Sequence, residues 1–459
     1  MPVDSDTVKA IVEKVLQRLD RGKPAGKDMT PPRSGEASPL QLPESLSGAL
    51  KSPDAAVEAA SKAYEAYRTA TLERRRAIID ALRRTALAEN ERWSCAAVEE
   101  TGLGRVEDKV AKNRLAAEKT PGVEDLLPTA VSGDRGLTLE ELAPWGVIGA
   151  IAPCTNPVAT VVNNTISMLA GGNAVVFSAH PAAARVTIDC VKHLNAAVVS
   201  ADGPANLIAT MENASIEAAQ ALMKHPGVAL LVVTGGPAVV RAAFACGKKV
   251  IAAGPGNPPA VVDEKEIICV ESVAGELKAE LVKAGAFELS RKDWARLAET
   301  ALAAPGSPSE EGTANRTYVG KDAGVLLTAI GMDGPAPRLL FADVSADDPF
   351  VWTEQLMPAV PLVRVRSADE AIEFARRVEG GRRHTAVMHS RNIEKLSAMA
   401  RAMDCSIFVK NGTGVAGIGQ GGEGHTSFTI AGPTGEGVTS ARSFVRRRRC
   451  VLVDYFRIV

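Results

Sequence analysis

The chain has 459 residues, of which 46% are hydrophobic and 23% charged, and its formal net charge is −1. Its length allows more than one domain with a sizeable core, and the balanced charge argues against a nucleic-acid-binding protein. No apolar run is long enough to span a bilayer, the N-terminus lacks a signal-peptide pattern, and the seven cysteines show no zinc-type spacing. These features predict a soluble, reduced, cytoplasmic protein without a metal site.

The first twenty residues predict a short amphipathic helix that is separate from the rest of the chain. Apolar residues recur there at helical spacing, namely Val8, Ile11, Val12, Val15, Leu16 and Leu19. Residues 21–45 are rich in Gly, Pro, Ser and Lys, which predicts a flexible linker. A helix on such a tether suits the groove of a partner better than its own domain, although a terminal helix docked at home is the alternative.

The body of the chain alternates between helical and strand patterns. Helices are predicted at 54–70, 72–102, 159–169, 183–199, 214–224 and 237–245. Strands are predicted at 145–152, 174–177, 206–210, 228–233 and 249–253. This alternation predicts an α/β fold with a Rossmann-like, doubly wound parallel sheet.

Polar or glycine-rich loops follow several of the predicted strands. Asn156 lies just after the strand 145–152, where open α/β sheets bind ligands, so its amide can donate into a cleft. Its side chain can equally cap the helix that follows, and the residues alone leave both interpretations open. The turn Thr234–Gly236 and the residue His180 hold similar positions after two other strands. Neither loop is a GxGxxG fingerprint, so these two loops are weak evidence for a nucleotide site.

Seven motifs in the same order resemble the CoA-acylating branch of the aldehyde dehydrogenase superfamily. They are 152–157, 175–181, 231–236, 252–259, 354–361, 384–390 and 432–442. The resemblance runs from about Ala56 to the C-terminus and is strongest to the propionaldehyde and acetaldehyde dehydrogenases of bacterial microcompartments. It implies an enzyme in which a cysteine thiolate attacks a short aldehyde, NAD takes a hydride and CoA, as co-substrate, takes the acyl group.

The resemblance also assigns roles to individual residues. It implies that Asn156 is the side-chain donor to the oxyanion and that Glu354 holds the nicotinamide ribose. It places the turn of Thr234, Gly235 and Gly236 under the nicotinamide and His180 on the adenosine side. Thr155 and Gly254 belong to the matching cofactor loops.

The loop from Gly254 to Pro259 bears on the fate of the acyl group. In hydrolytic aldehyde dehydrogenases the matching loop carries a glutamate that activates water, whereas this loop contains no carboxylate. Water needs such a base, but a thiol is far more acidic and needs less help. The loop therefore favours acyl transfer to CoA over release of a free acid.

The chain departs from the family at the position of the nucleophile. The family pattern has a helix and a cysteine loop between residues that match Glu264 and Lys265, and this segment is absent. The preferred alignment puts Cys269 inside an apolar strand, whereas a competing alignment makes it the nucleophile on a rearranged loop. The alternatives are therefore a chain that lacks a segment of the natural enzyme, an inactive relative that binds nucleotide or organises cargo, and recruitment of Cys269.

The resemblance implies a modular architecture. It predicts a cofactor domain at residues 46–253 with an oligomerisation strand near 137–142, a catalytic domain at 254–440, and a terminal oligomerisation strand at 441–459. That last strand is expected to pair with a neighbouring subunit, so a homodimer or homotetramer is predicted. Residues 3–19 look like an encapsulation peptide that binds shell or cargo proteins inside a bacterial microcompartment. The sequence names neither the aldehyde nor the choice between NAD and NADP.

Overall fold

The computed structural model describes residues 42–459, except 255, 262–265, 333 and 335–336. The predicted helix at 3–19, most of the predicted linker and the junction between Glu264 and Lys265 lie outside the described residues. Within the described ranges, no helix is long and apolar enough to cross a membrane. The same ranges contain no cluster of His, Cys, Asp and Glu side chains that could hold a metal ion.

Helices and strands both occur throughout the described ranges. The helices are α1 Pro53–Tyr67, α2 Leu72–Ala88, α3 Asn90–Thr101, α4 Val106–Lys119, α5 Pro157–Ala170, α6 Ala184–Ser200, α7 Ile216–Lys224, α8 Pro237–Phe244, α9 Glu271–Lys283, α10 Arg291–Ala301, α11 Ala323–Ala329, α12 Ala368–Glu379 and α13 Ile393–Met403. The strands are β1 Ala49–Leu50, β2 Thr129–Gly133, β3 Gly136–Pro144, β4 Val147–Ile151, β5 Ala174–Ser178, β6 Ile208–Met211, β7 Leu230–Thr234, β8 Val250–Ala253, β9 Pro259–Val261, β10 Glu266–Val270, β11 Ala286–Glu288, β12 Leu302–Ala304, β13 Thr313–Ala314, β14 Leu339–Val344, β15 Ala359–Val365, β16 Thr385–Met388, β17 Ile407–Lys410, β18 Ile430–Ala431, β19 Gly437–Val438 and β20 Val445–Val453.

The first large sheet is parallel and has the strand order β1-β6-β5-β4-β7-β8. Strands β4, β5 and β6 follow one another in one direction, and the chain then crosses to place β7 on the other side of β4. Every residue of β4, β5 and β6 is buried, as expected for a sheet covered by helices on both faces. The doubly wound architecture is confirmed, and its topological switch point lies between the carboxyl ends of β4 and β7.

One predicted helix is divided in the structure, and one further helix was not predicted. The predicted helix 72–102 is divided at Glu89 into α2 and α3, and the division lets Asn90 donate from Nδ2 to the carbonyl of Val110 on α4 at 2.9 Å. The second helix ends at Gly102, which has φ +64°, as the sequence predicts. Helix α4 itself was not predicted, because buried positions on it are occupied by Lys109 and Asn113, which interrupt the apolar period.

The second large sheet is also parallel and has the strand order β11-β14-β15-β10-β9-β16-β17. It belongs to the compact unit Gly256–Gly417, whereas residues 42–254 and Ile418–Val459 form the other unit. The predicted catalytic range 254–440 therefore ends later than this unit. Residues after 417 belong with the cofactor sheet because Thr434 accepts a hydrogen bond from the amide of Ala252 at 3.1 Å.

The neighbouring strands β9 and β10 are parallel, with Pro259 opposite Glu266 and Ala260 opposite Ile267. Only residues 262–265 connect them. Parallel neighbours are usually joined by a crossover of a dozen or more residues, most often a helix. The sheet topology therefore supports the prediction that a segment is missing at this point.

The terminal strand β20 lies in a small antiparallel sheet of order β2-β3-β20. It pairs with β3 along its whole length, from Val445 opposite Pro144 to Val453 opposite Gly136. The strand predicted near 137–142 is part of β3, whereas the strand predicted at 441–459 is shorter and forms β20 at Val445–Val453. Strand β20 has a pairing partner within its own chain, where the sequence prediction expected a neighbouring subunit. Its other edge is an outer edge of this sheet, and its residues after Val445 are exposed.

Candidate active site

Four of the predicted cofactor loops lie at one edge of the first sheet. Thr155 and Asn156 follow β4, His180 follows β5, Thr234 ends β7, and Gly254 follows β8. The four strands are parallel neighbours, so their carboxyl ends meet at the same edge of the sheet. The loops after β4 and β7 flank the switch point, which is where open α/β sheets bind their ligands.

Asn156 precedes the first residue of α5, but its side chain makes no capping hydrogen bond. The interpretation of Asn156 as a helix cap is therefore wrong. Its Oδ1 atom instead accepts from Nζ of Lys112 at 3.4 Å. The half-buried amide thus lies at the switch point without a capping role, as a donor to a ligand requires.

Lys109 and Lys112 of α4 are candidate site residues that the sequence analysis missed. Nζ of Lys109 donates to the carbonyl of Thr155 at 2.9 Å, next to the bond between Lys112 and Asn156. Burial, and to a smaller extent Lys112, lowers the pKa of Lys109 to about 8, and burial also lowers the pKa of Lys112. The only signal in the sequence was two lysines three residues apart, with acidic residues in the first helical turn before them.

The low pKa of Lys109 predicts a stability change with pH. Lys109 is only 6% exposed, and its folded-state pKa of about 8 lies below the ordinary value of 10.5. Below pH 8 the buried charge is fully present and costs stability, and this cost disappears as the pH rises to 10.5. The stability advantage of a Lys109→Met variant over the wild type should therefore shrink by up to about 3 kcal/mol between pH 7 and 10.5.

Urea unfolding at both pH values measures this difference. The exposed Lys62, which pairs with Glu58, provides the control variant Lys62→Met. The difference in free energy of unfolding between Lys62→Met and the wild type should be the same at both pH values, within about 0.5 kcal/mol. A Lys109→Met difference that does not change with pH would contradict a depressed pKa at this lysine.

The loop after β7 combines a threonine with an open helix start. Oγ1 of Thr234 is 3.0 Å from Oγ1 of Thr429. Gly236 precedes α8, no side chain caps this helix, and a Cβ at Gly236 would meet nothing within 4 Å. An uncapped helix N-terminus beside open space fits a phosphate group. The residues at this edge of the sheet therefore fit a dinucleotide.

Glu354 and the loop after residue 255 are described within the second unit. The amide of Gly256 donates to Oε1 of Glu354 at 3.3 Å. The ring of His384 lies so close to Gly256 that a Cβ there would be 2.7 Å from Cγ of the histidine. Asn257 anchors the loop by donating to the carbonyls of Val351 and Val378, both at 3.3 Å. His384, to which the sequence analysis assigned no role, thus lies beside the loop that holds Glu354.

Cys269 lies in β10, between β9 and β15, and is 0% exposed. It packs against apolar side chains that include Ile267, Leu277 and Leu362, and Arg364 lies opposite it on β15. Burial raises the pKa of the Cys269 thiol to about 12. Because the thiolate is the reactive form, this environment suits a core residue and opposes a nucleophile. The position agrees with the preferred alignment.

The other cysteines divide by exposure. Cys154, half-buried in the loop before Asn156, has a pKa raised by burial, an effect that Lys109 opposes. Burial also raises the pKa of Cys190, and it raises that of Cys405 to about 11. Cys95 and Cys450 are exposed, on α3 and β20 respectively. Cys154 is the cysteine nearest in sequence to Asn156, the predicted oxyanion donor. Its raised pKa favours the thiol over the reactive thiolate.

A cavity of about 780 Å³ lies between α10 and the end of β14, lined by residues that include Arg291, Trp294 and Asp343. None of the predicted site residues lines it. Its size therefore does not identify it as the active site.

The profile of the aldehyde dehydrogenase family matches residues 47–279. The chain belongs to this family. It is 48% identical to the acetaldehyde dehydrogenase (acetylating) EutE of Salmonella typhimurium over 440 residues, which cover 90% of this chain and 94% of that one. It is 45% identical to the acetaldehyde dehydrogenase (acetylating) of Bilophila wadsworthia over the full length of both chains. That alignment has 495 positions against the 459 residues of this chain, so about 36 positions have no residue of this chain.

Two solved structures are similar throughout the fold. The propionaldehyde dehydrogenase of Rhodopseudomonas palustris, solved with bound CoA and an acylated cysteine, is 45% identical with a TM-score of 0.85, covering 89% of this chain and 98% of that one. The propionaldehyde dehydrogenase from the fucose utilisation bacterial microcompartment of Clostridium phytofermentans is 40% identical with a TM-score of 0.86, covering 90% and 100%. The resemblance predicted from the motifs is confirmed.

Proposed function

We propose that this chain is a CoA-acylating aldehyde dehydrogenase, which oxidises a short aldehyde of the acetaldehyde or propionaldehyde type with NAD and CoA. The observation that carries the proposal is the uncapped amide of Asn156 at the switch point of a doubly wound sheet. The acetylating and CoA-bound relatives support the same reaction class.

The residues of this chain have separate tasks in the proposed reaction. When bound, NAD supplies the hydride acceptor. Asn156 donates to the aldehyde oxygen as negative charge develops on it, and a donor of this kind contributes on the order of 3 kcal/mol to lowering the barrier. Thr234, Gly235 and Gly236 would hold the cofactor from the end of β7, and His180 would lie on its adenosine side. The family resemblance assigns Glu354, which lies in the other compact unit, to the nicotinamide ribose. In the proposed reaction an enzyme cysteine thiolate adds to the aldehyde carbon, and loss of hydride leaves a thioester on that cysteine. The loop with Gly254 and Gly256 offers no carboxylate base for water, so the CoA thiol would take the acyl group and the cysteine thiol would leave.

One observation favours a second candidate function. Cys269 is fully buried in β10 with a raised pKa, and the connection between β9 and β10 is short. A chain without an accessible thiolate would bind nucleotide and CoA, or organise cargo, without forming a thioester. The two candidates differ in whether the chain supplies an accessible thiolate, because the dinucleotide loops are the same in both.

The test measures NADH formation by the purified protein with propionaldehyde, NAD and CoA. The wild type is compared with the Cys269→Ala variant, each with and without prior iodoacetamide. CoA-dependent NADH formation supports the proposed enzyme, and its loss in Cys269→Ala would identify Cys269 as the nucleophile. Tight NAD binding without NADH in any sample would support the second candidate. Replacing NAD by NADP in the same assay decides the cofactor.

We further propose that the protein is a homo-oligomer and that residues 3–19 direct it into a bacterial microcompartment. The relative from a Clostridium phytofermentans microcompartment supports the location. Exposed apolar side chains on and after β20 support an interface, namely Val451, Leu452, Val453, Tyr455 and Phe456. Fusing residues 1–20 to a fluorescent protein, and looking for its encapsulation in cells that make shells, tests the targeting role.

Truncation after Val445 should convert the oligomer into monomers, because it removes β20 with its outer edge and its apolar side chains. Light scattering of the truncated and full-length proteins measures the change. A double variant, Val451→Lys with Val453→Lys, keeps β20 in the chain and should also give monomers. A truncated protein that remains a dimer would refute the role of this strand.

A further inference from the structure

The contact between Lys112 and Asn156 fixes which way the amide of Asn156 faces. The oxygen and nitrogen of an asparagine amide are often interchangeable by shape and must be assigned from their partners. A lysine ammonium group can only donate. The amide atom 3.4 Å from Nζ of Lys112 must therefore be the oxygen. The NH₂ group of Asn156 is then the donor end of the amide, and Lys112 does not occupy its protons.

The residues around Lys112 favour its hydrogen bond to Oδ1 of Asn156. Lys109, one turn earlier on α4, binds the carbonyl of Thr155 beside it. Neither lysine forms an ion pair with a carboxylate in the described part of the chain. A cavity of about 10 Å³, with room for about one water molecule, lies among Lys109, Lys112, Asn113 and Asn156. Burying two ammonium groups without a carboxylate partner costs folding free energy. The hydrogen bonds of Lys109 and Lys112 are both directed at the loop that carries Asn156.

We propose that Lys112 is a positioning residue that orients the Asn156 amide as a donor and, through its charge, polarises the N–H groups that face the aldehyde oxygen. The inference rests on the proposed function, in which Asn156 is the oxyanion donor. A positive charge on the carbonyl side of an amide strengthens hydrogen bonds on the nitrogen side, because hydrogen bonds in a chain polarise one another.

The orientation can be tested without catalysis. The full-length protein is deuterated, its asparagines are labelled with nitrogen-15, and the Asn156 side-chain resonance is assigned by its loss in Asn156→Asp. Lys112→Met should shift this resonance, and Lys112→Arg, which keeps a charged donor, should shift it less. The control is Lys119→Met, since Lys119 lies on the same helix but donates to the carbonyls of Gly419 and Gly422. An Asn156 resonance unchanged by Lys112→Met overturns the proposal.

The catalytic consequence is tested by kinetics on the same variants. Lys112→Met should lower kcat for CoA-dependent NADH formation on the order of 10-fold, with the KM for NAD unchanged and partial rescue by Lys112→Arg. Equal kcat values in the wild type and Lys112→Met would overturn the polarising role. If the wild type forms no NADH, the proposed function has failed, whereas a resonance that shifts still supports the orientation by Lys112.

Discussion

Inserting the corresponding segment of the Salmonella acetaldehyde dehydrogenase between Glu264 and Lys265 should raise CoA-dependent NADH formation by at least about 10³-fold. The buried Cys269, with a pKa of about 12, holds its thiolate in only about one molecule in 10⁴ at pH 8. An accessible cysteine with an ordinary pKa of about 8.5 is ionised in roughly a quarter of the molecules at that pH. The insertion would also supply a crossover of ordinary length between β9 and β10.

The measurement compares the wild type with the insertion variant at pH 8 under saturating NAD and CoA. The matched control is the insertion variant with the cysteine of the inserted segment replaced by alanine, which should fall back to the wild-type rate. Affinity for NAD should be similar in all three proteins, because the loops after β4, β5 and β7 are untouched. A wild-type rate equal to that of the insertion variant, and abolished by Cys269→Ala, would refute the inertness of Cys269.

Asn156→Ala should lower the rate of the active form by about 10²–10³-fold while leaving stability nearly unchanged. The reason is that Asn156 lacks the capping hydrogen bond that the side chain of an N-cap residue usually makes. Asn392 provides the opposite case, because its Oδ1 accepts from the amides of Glu394 and Lys395 at the start of α13. Asn392→Ala should therefore cost about 1 kcal/mol of stability and leave the rate unchanged.

Thermal unfolding and initial rates of the two variants separate a site residue from a cap. The thermal unfolding measurement is informative even if the wild type is inactive, because it does not depend on enzyme activity. A loss of about 1 kcal/mol in Asn156→Ala, equal to that in Asn392→Ala, would restore the capping interpretation. A rate within two-fold of the parent in Asn156→Ala would remove Asn156 from the proposed mechanism.

Much of the cofactor sheet is predictable from local patterns. Strands such as β4, β5 and β7 are short apolar runs bounded by glycine, proline or polar residues, and these signals are local in sequence. The predicted bounds of α5 and α8 differ from the structure by at most two residues at either end. The βα alternation then restricts the topology to a parallel, doubly wound sheet.

The site was only partly predictable. Asn156, Thr234 and Gly236 were found because they directly follow strands, which is a feature of the sequence order. Lys109 and Lys112 were missed because they lie about 45 residues before the loop that they contact, on a helix with a weak apolar period. No local sequence pattern indicates a contact between residues that lie so far apart in the chain.

The sequence by itself determined the family, the order of helices and strands, and the absence of a carboxylate in the loop from Gly254 to Pro259. The tertiary structure decided that Asn156 is not a helix cap, that β20 pairs with β3, and that Cys269 is buried between β9 and β15. The physical reason is that strand and helix patterns arise from neighbouring residues, whereas burial, pairing and the direction of an amide depend on residues brought together from distant parts of the chain.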